Sequence, residues 1–407
     1  MATEACRPEA PSPAAADAPV AVRRAAAAAL VASLLASAAC STGLATPERE
    51  DLTWTEVEVP AGFAPSVLAP EPSGGLLVGS DGAGGGGHPP RLAVLHAGAG
   101  FVEVPVDATT YYGARARWTG VVAGDRVYGL GGRSGGAHAN VRWTAWSGTR
   151  TALREDPQTF ETFGGVRAGG LESLVLAGDA PVVVGSWTSD AGGLEVATWT
   201  FHGRRWVRQP STGTALASSE DRQASVRGAA ARGPRGVLVL GAATVFGHGE
   251  VRMGASAWAA SAPEGPWTRV DLPAPEGTAI AEAHAATCDQ DGSCLVTGVI
   301  DGRLALWTLT SAGTPSLVAH APRPALPSGA TVPAPVRVGP TWFVLVPGDA
   351  GRPAELLVGD GGTWAEAPAP DGVVRGFAAA GGRLYVTTAA DGRSSLWSTE
   401  VAERPQA

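Results

Sequence analysis

A unit of about 50 residues repeats seven times along this chain, and that self-similarity limits the folds open to it more than any other feature. A short apolar run, usually closed by glycine, marks each unit. The runs are Leu76-Leu77-Val78-Gly79, Val127-Tyr128-Gly129-Leu130, Val182-Val183-Val184-Gly185, Leu238-Val239-Leu240-Gly241, Leu295-Val296-Thr297-Gly298, Phe343-Val344-Leu345-Val346 and Leu384-Tyr385-Val386-Thr387. A large apolar residue follows each run, at Leu95, Trp146, Trp199, Trp258, Trp307, Val358 and Trp397, with successive spacings of 51, 53, 59, 49, 51 and 39 residues. The runs are short, β-branched or aromatic, and bounded by Gly, Pro and Asp, which is strand-and-turn chemistry with no helical periodicity.

Four strands per unit at this period predict an all-β, seven-bladed β-propeller, since blades take roughly 40–50 residues. A β-sandwich would need a unit of about 100 residues, and a β-helix would show a shorter rung. The 407 residues exceed what one compact core supports, but a repeat array buries each module against its neighbours and escapes that limit. The ends suggest how the ring closes. Residues 52–60 read as a fourth strand with no third before it, while the chain after Trp397 lacks a fourth strand. The N-terminal strand is therefore expected to complete the last blade and remove an open edge. The expected organisation is a signal peptide at 1–39, a linker at 40–51, the propeller at 52–400 and a tail at 401–407.

The N-terminal segment has Arg23-Arg24 followed by a small-apolar run over residues 25–39, shorter than the span of about 20 residues that a membrane helix needs. The stretch Leu34-Leu35-Ala36-Ser37-Ala38-Ala39-Cys40-Ser41 resembles the lipobox of bacterial lipoproteins, with Ser37 where that family usually has Leu. The resemblance implies that Cys40 becomes the first mature residue, carries a diacylglyceryl thioether and anchors an extracytoplasmic protein to the cell membrane. The alternative is ordinary cleavage after Ala38, through Ala36 and Ala38, which would leave a secreted chain. The Arg pair also occurs in twin-arginine signals, but their flanking residues are absent.

Four cysteines are present. Cys6 lies in the segment expected to be removed, and Cys40 is the lipidation candidate. Cys288 and Cys294 flank the turn Asp289-Gln290-Asp291-Gly292-Ser293, between the predicted first and second strands of the fifth unit. Facing positions in an antiparallel hairpin put Cα atoms about 4.5–5.5 Å apart, within disulfide range, and export supplies an oxidising compartment. The competing reading is a pair of thiols binding a metal, with His284 the only further ligand near in sequence.

The formal charge is −8 and all 30 basic residues are Arg, with no basic cluster or tail, which argues against nucleic acid as a partner. The predicted innermost strands nonetheless carry charge. Arg227 and Arg375 sit in matching Val-Arg-Gly triplets, Arg117 and Arg337 fall near the same point, and Glu172, Glu282 and His284 occupy it in other units. The two readings are a solvated channel wall of paired Arg and Glu, and a channel anion site built from guanidinium forks. His88, His138 and His248 lie in glycine-rich connections without metal-ligand spacing, so no metal site is expected. Nucleophile-elbow, Walker, zincin and strand-to-helix dinucleotide motifs are absent, and no cofactor is expected.

The turn Gly359-Asp360-Gly361-Gly362-Thr363-Trp364 resembles the Asp-box of sialidase-like propellers. Weaker likenesses occur at Ser261-Ala262-Pro263-Glu264-Gly265-Pro266-Trp267-Thr268 and His202-Gly203-Arg204-Arg205-Trp206. The resemblance implies a structural role, with the Asp capping the turn and the Trp packed between blades. Tyr111-Tyr112 and several arginines are present, but nothing in the sequence assembles them into a sialidase site. The expected function is that of a monomeric binding or scaffold protein at the cell envelope, with a protein or glycan ligand and without catalysis. The alternative is a propeller enzyme of glycan-processing or quinone-cofactor type.

Overall fold

The computed structural model describes residues 51–81, 89–135, 140–247, 249–349 and 352–401. The candidate signal, Cys40, most of the linker, the tail beyond 401 and the three loop histidines His88, His138 and His248 lie outside them. Seven antiparallel sheets follow one another as the blades of a β-propeller. Their innermost strands are Pro65–Pro70, Arg117–Ala123, Ala168–Ala177, Arg222–Arg232, Ala281–Cys288, Val336–Val338 and Val373–Ala380. The hairpins joining first to second strands define the lower face. The connections from second to third strands, together with the linkers between blades, define the upper face.

Ring closure follows the sequence expectation. Thr55–Val57 is the fourth strand of blade seven and pairs antiparallel with Arg393–Glu400, Thr55 opposite Ser398 and Val57 opposite Leu396. Side chains secure it, since Arg393 and Ser395 donate to Glu56 at 2.7 and 2.8 Å. Blade two departs from the four-strand expectation. Val106–Asp107, in the linker from blade one, pairs parallel with its outer strand Ala152–Glu155, and Leu153 N–H donates to the Pro105 carbonyl at 2.8 Å. The linker thereby covers an edge that would otherwise be exposed.

The glycine that closes most second strands has a steric cause. In blades two to five it is Gly131, Gly185, Gly241 and Gly298, and a Cβ at any of them would collide with a backbone carbonyl oxygen of the inner strand, that of Arg117, Gly170, Ser225 or Glu282. The inner strand presses this close because it bulges immediately afterwards. The ladders slip by one residue at Ser66, Thr119, Glu172, Arg227, His284 and Arg375, in six of the seven blades. The short inner strand of blade six pairs without a slip.

The third-strand tryptophans lock blade to blade. Trp146, Trp199, Trp258 and Trp307 are fully buried. Trp199, Trp258 and Trp307 each donate the indole N–H to a carbonyl in the linker entering their own blade, that of Thr162, Ala215 or Pro273, at 2.7, 3.0 and 2.7 Å. In blade seven, the half-buried Trp397 bonds Thr388 within its own sheet. The bond to the preceding blade comes instead from Trp54, which donates at 2.9 Å to the carbonyl of Pro368, the last residue of the outer strand of blade six. In blade one the equivalent position is Ala93 and not Leu95: Ala93 faces Val78 two residues before Ser80, which pairs with the inner strand just before its bulge, as Trp146 faces Gly129 two residues before Gly131.

Cys288 and Cys294 form a disulfide across facing positions of the lower-face hairpin of blade five, with Cα atoms 4.0 Å apart. This excludes the metal-binding thiol pair. Alkylation of the non-reduced protein is expected to leave both sulfurs unmodified by intact mass, and labelling of either would contradict the bridge. Deleting residues 51–59 should lower the denaturant midpoint of the whole ring, because Arg393–Glu400 becomes an open edge. Trp54→Phe, which keeps an aromatic ring and loses the N–H, should cost about 1 kcal/mol in the same titration. An unchanged midpoint in the deletion would exclude closure by this strand.

Candidate functional site

The bulges place polar side chains on the innermost strands, where they line the central channel. The chemistry differs between its two sides. On blades three to five, Glu172 and Glu282 surround Arg227, and His284 adjoins Glu282. Arg227 Nε lies 2.8 Å from Glu282 Oε1, and His284 Nε2 lies 3.4 Å from Glu282 Oε2. The opposite ring nitrogen, Nδ1, accepts the Val332 N–H at 3.0 Å, so the proton sits on Nε2 and the hydrogen bond runs from His284 to Glu282. Burial opposes the charge on Glu282, yet the hydrogen bonds from His284 and Arg227 hold its carboxyl below the ordinary range. Glu172 has only the field of Arg227 to offset desolvation by the channel walls, and its carboxyl is raised. Neither oxygen of Glu282 is free, so this arc is a closed polar network.

Blades seven, one and two present a different arrangement. Asp81 directly follows the second strand of blade one, Leu76–Ser80, and reaches across to blade two, accepting the Trp118 N–H at 3.0 Å. The guanidiniums of Arg117 on blade two and Arg375 on blade seven flank it closely enough to stabilise its charge. Burial nevertheless outweighs them, and the Asp81 carboxyl is raised above its ordinary value of 3.8. Neither Arg117 nor Arg375 forms an ion pair or hydrogen bond among the described residues, and both are exposed. Asp81, Arg117, Arg375 and Ser66 line an upper-face cleft of about 940 Å³, which extends to Phe63, Glu58 and the hairpin residues Ser394 and Ser395 of blade seven. The closing strand forms one of its walls.

The four arginines singled out from sequence are thus divided. Arg117 and Arg375 share the cleft, and Arg227 is engaged by Glu282. Arg337 lies at the lower end of its strand, paired with Asp289 at 2.5 Å and stacked over Trp342 at 5.2 Å, so it does not join the others. Blade six explains the difference: its inner strand is cut to Val336–Val338, and the arginine sits beside the hairpin at Gly339. Asp81 was missed, although blade one alone among the first five carries a carboxylate two residues beyond the second-strand glycine. Away from the cleft, the Asp360 carboxylate accepts the N–H groups of Gly362 and Thr363, both at 2.8 Å, and the following Trp364 is buried, so this turn serves packing.

No protein-family model matches the chain, and no curated protein matches it. Three solved structures are similar in fold. The GH74 xyloglucanase from Xanthomonas campestris is 15% identical with a TM-score of 0.49, over 85% of this chain and 55% of that enzyme. A polysaccharide lyase is 10% identical with a TM-score of 0.45, over 88% and 94% of the two chains. A GH43 β-1,3-galactosidase bound to galactodeoxynojirimycin is 12% identical with a TM-score of 0.34, over 57% and 90%. This chain spans about half the length of the xyloglucanase.

The Asp81 carboxyl has a pH signature. Its folded value lies above the ordinary one, so it contributes stability while protonated and loses that contribution as pH rises from the ordinary carboxylate range through the raised value. Asp81→Asn keeps an acceptor for Trp118 and is expected to be more stable than the parent at pH 7, with the advantage shrinking toward pH 4. Denaturant midpoints at the two pH values check this, and a difference independent of pH would refute it.

Proposed function

We propose that this protein is an exported, lipid-anchored binding propeller that captures an anionic ligand at the upper mouth of its channel. The carrying observation is the pair of unpaired guanidiniums, Arg117 and Arg375, on either side of one desolvated carboxylate in a cleft of about 940 Å³. At Asp81 two guanidiniums face one carboxylate, the other lining carboxylates being Glu56, paired with Arg393, and Glu58, and guanidinium forks match the geometry of carboxylate and phosphate oxygens. Export and anchoring rest on the segment before Cys40 and fit the Cys288–Cys294 disulfide, which belongs to an oxidising compartment. A binding role is favoured over catalysis because the other channel carboxylate with hydrogen-bond partners, Glu282, is fully engaged by Arg227 and His284.

Calorimetry with short dicarboxylates tests the site. The Arg117→Met/Arg375→Met double variant should bind at least about tenfold more weakly, as expected for losing a charge-assisted hydrogen bond. Arg337→Met, on the lower face, should not differ from the parent. Affinity should also weaken as pH rises and Asp81 ionises, a dependence that Asp81→Asn removes. Equal binding by parent and double variant would end the proposal. For the anchor, Cys40→Ala should move the protein from the membrane fraction to the soluble fraction and abolish palmitate labelling; unchanged partition without label in the parent would point to release.

A further inference from the structure

A second upper-face pocket, of about 240 Å³, lies on blade two, apart from the channel mouth. Tyr112, Arg142, Trp143, Asp156, Gln158 and Phe160 contribute to its lining. At about 30 Å³ per water it has room for some eight waters, the scale of a single sugar ring with its substituents. We infer that this pocket binds a carboxylated sugar ring. The inference goes beyond the channel-mouth reading and does not depend on it.

The polar groups around the pocket divide into engaged and free. Glu155 accepts the N–H groups of Thr109 and Thr110 at 2.7 and 2.8 Å and the Thr110 hydroxyl at 2.6 Å. Asp156 is ion-paired with Arg204 at 2.5 Å, although neither of its buried oxygens accepts a hydrogen bond. Gln158 accepts the Trp206 N–H at 3.0 Å and donates to the carbonyls of Asp156 and Arg204 at 2.9 and 3.2 Å. These side chains therefore form the walls.

Arg142 is different. Its guanidinium lies 4.1 Å over the Phe160 ring and 6.0 Å from that of Tyr112, and its Nε is shut off from solvent without a hydrogen-bond partner. No carboxylate pairs with it among the described residues. The residue facing it across the ladder is another arginine, Arg133, also without an ion pair. The Trp143 indole N–H is likewise unengaged. With Asp156 balanced by Arg204, a cation held by two aromatic rings beside a like charge, with spare donors, calls for an anionic oxygen pair from outside. Phe160 is covered by Arg142, and the rings of Trp143 and Tyr112 supply what the ring of such a ligand needs, a surface for its C–H groups. An organic cation fits poorly, because Arg142 already occupies the aromatic box.

The test uses the mature protein and two probes that differ only in charge, a trimer of galacturonic acid and its fully methyl-esterified form, compared by calorimetry. The free acid should bind at least about tenfold more tightly than the ester, the change expected for a charged hydrogen bond. Arg142→Met should abolish that preference while leaving dicarboxylate binding at the channel mouth intact, and Arg142→Lys should recover part of it. The Arg117→Met/Arg375→Met variant should bind the trimer as the parent does, which separates failure here from failure of the channel-mouth site. Equal binding of acid and ester by the parent, a preference lost only in the double variant, or no binding of either probe would each overturn the inference. The comparison of probes on the parent needs no variant to fold.

Discussion

A propeller exists only if the face of each twisted sheet packs against the next all the way round, and the buried indoles are where this constraint is met. Trp199, Trp258 and Trp307 fill the space between sheets and fasten the incoming linker through the indole N–H, so one side chain supplies both apolar burial and the pairing of a carbonyl that would otherwise be isolated. Each contact involves only neighbouring blades, which makes the array linear in energetic terms until its ends meet. Trp54 is therefore a telling residue. It comes from the N-terminal segment, yet ties blade seven to the end of the outer strand of blade six, much as a third-strand tryptophan ties its blade to the incoming linker in blades three to five.

The same close packing creates the polar lining of the channel. A second-strand glycine lets the inner strand approach, and the strand then bulges by one residue. A bulge re-aims a side chain without breaking the ladder on either side. The six bulged residues are Ser66, Thr119, Glu172, Arg227, His284 and Arg375, and only some find partners on adjacent blades. Arg227 sits between Glu172 and Glu282, so its charge is absorbed. Arg375 has Ser66 and Asp81 as its neighbouring polar groups on blade one, and the single carboxylate is shared with Arg117. The unpaired charge at the mouth results from this uneven sequence of bulged residues around an otherwise regular ring.

Much of this was legible in the sequence because repetition amplifies weak signals. One Val-Val-Val-Gly run says little, but seven at near-constant spacing specify blades, and an unmatched strand pattern at residues 52–60 specifies closure. The disulfide was legible because a hairpin fixes which residues face one another. What escaped were features set by neighbours in space. Arg337 was grouped with the channel arginines, since nothing local shows that its strand is only three residues long and ends at a hairpin. Asp81 and the Arg142 pocket depend on contacts between blades, or between a strand and a linker, for which sequence spacing carries no signal. The blade-one marker was misplaced by two residues, Leu95 for Ala93, because Leu is the more conspicuous apolar side chain on that face and only the ladder register separates the two.

Functional chemistry in this ring sits where the repeat is broken. Blade six has lost its bulge and most of its inner strand, and in exchange the segment before Val336 supplies the Val332 N–H that fixes the His284 tautomer. Blade one has no third-strand tryptophan, and Trp118 of blade two reaches back to the Arg91 carbonyl at 2.9 Å, while its backbone N–H holds Asp81. Blade two has the extra strand and a third-strand tryptophan, Trp146, whose buried indole N–H lacks a partner, with Trp118 packed 4.8 Å from it. Polar groups go unanswered in regular blades too, Thr198 Oγ1 and the Trp206 indole of blade three among them, but the unpaired guanidiniums on which the proposed sites rest, Arg117, Arg142 and Arg375, lie on blades two and seven, the blades with an added or borrowed strand.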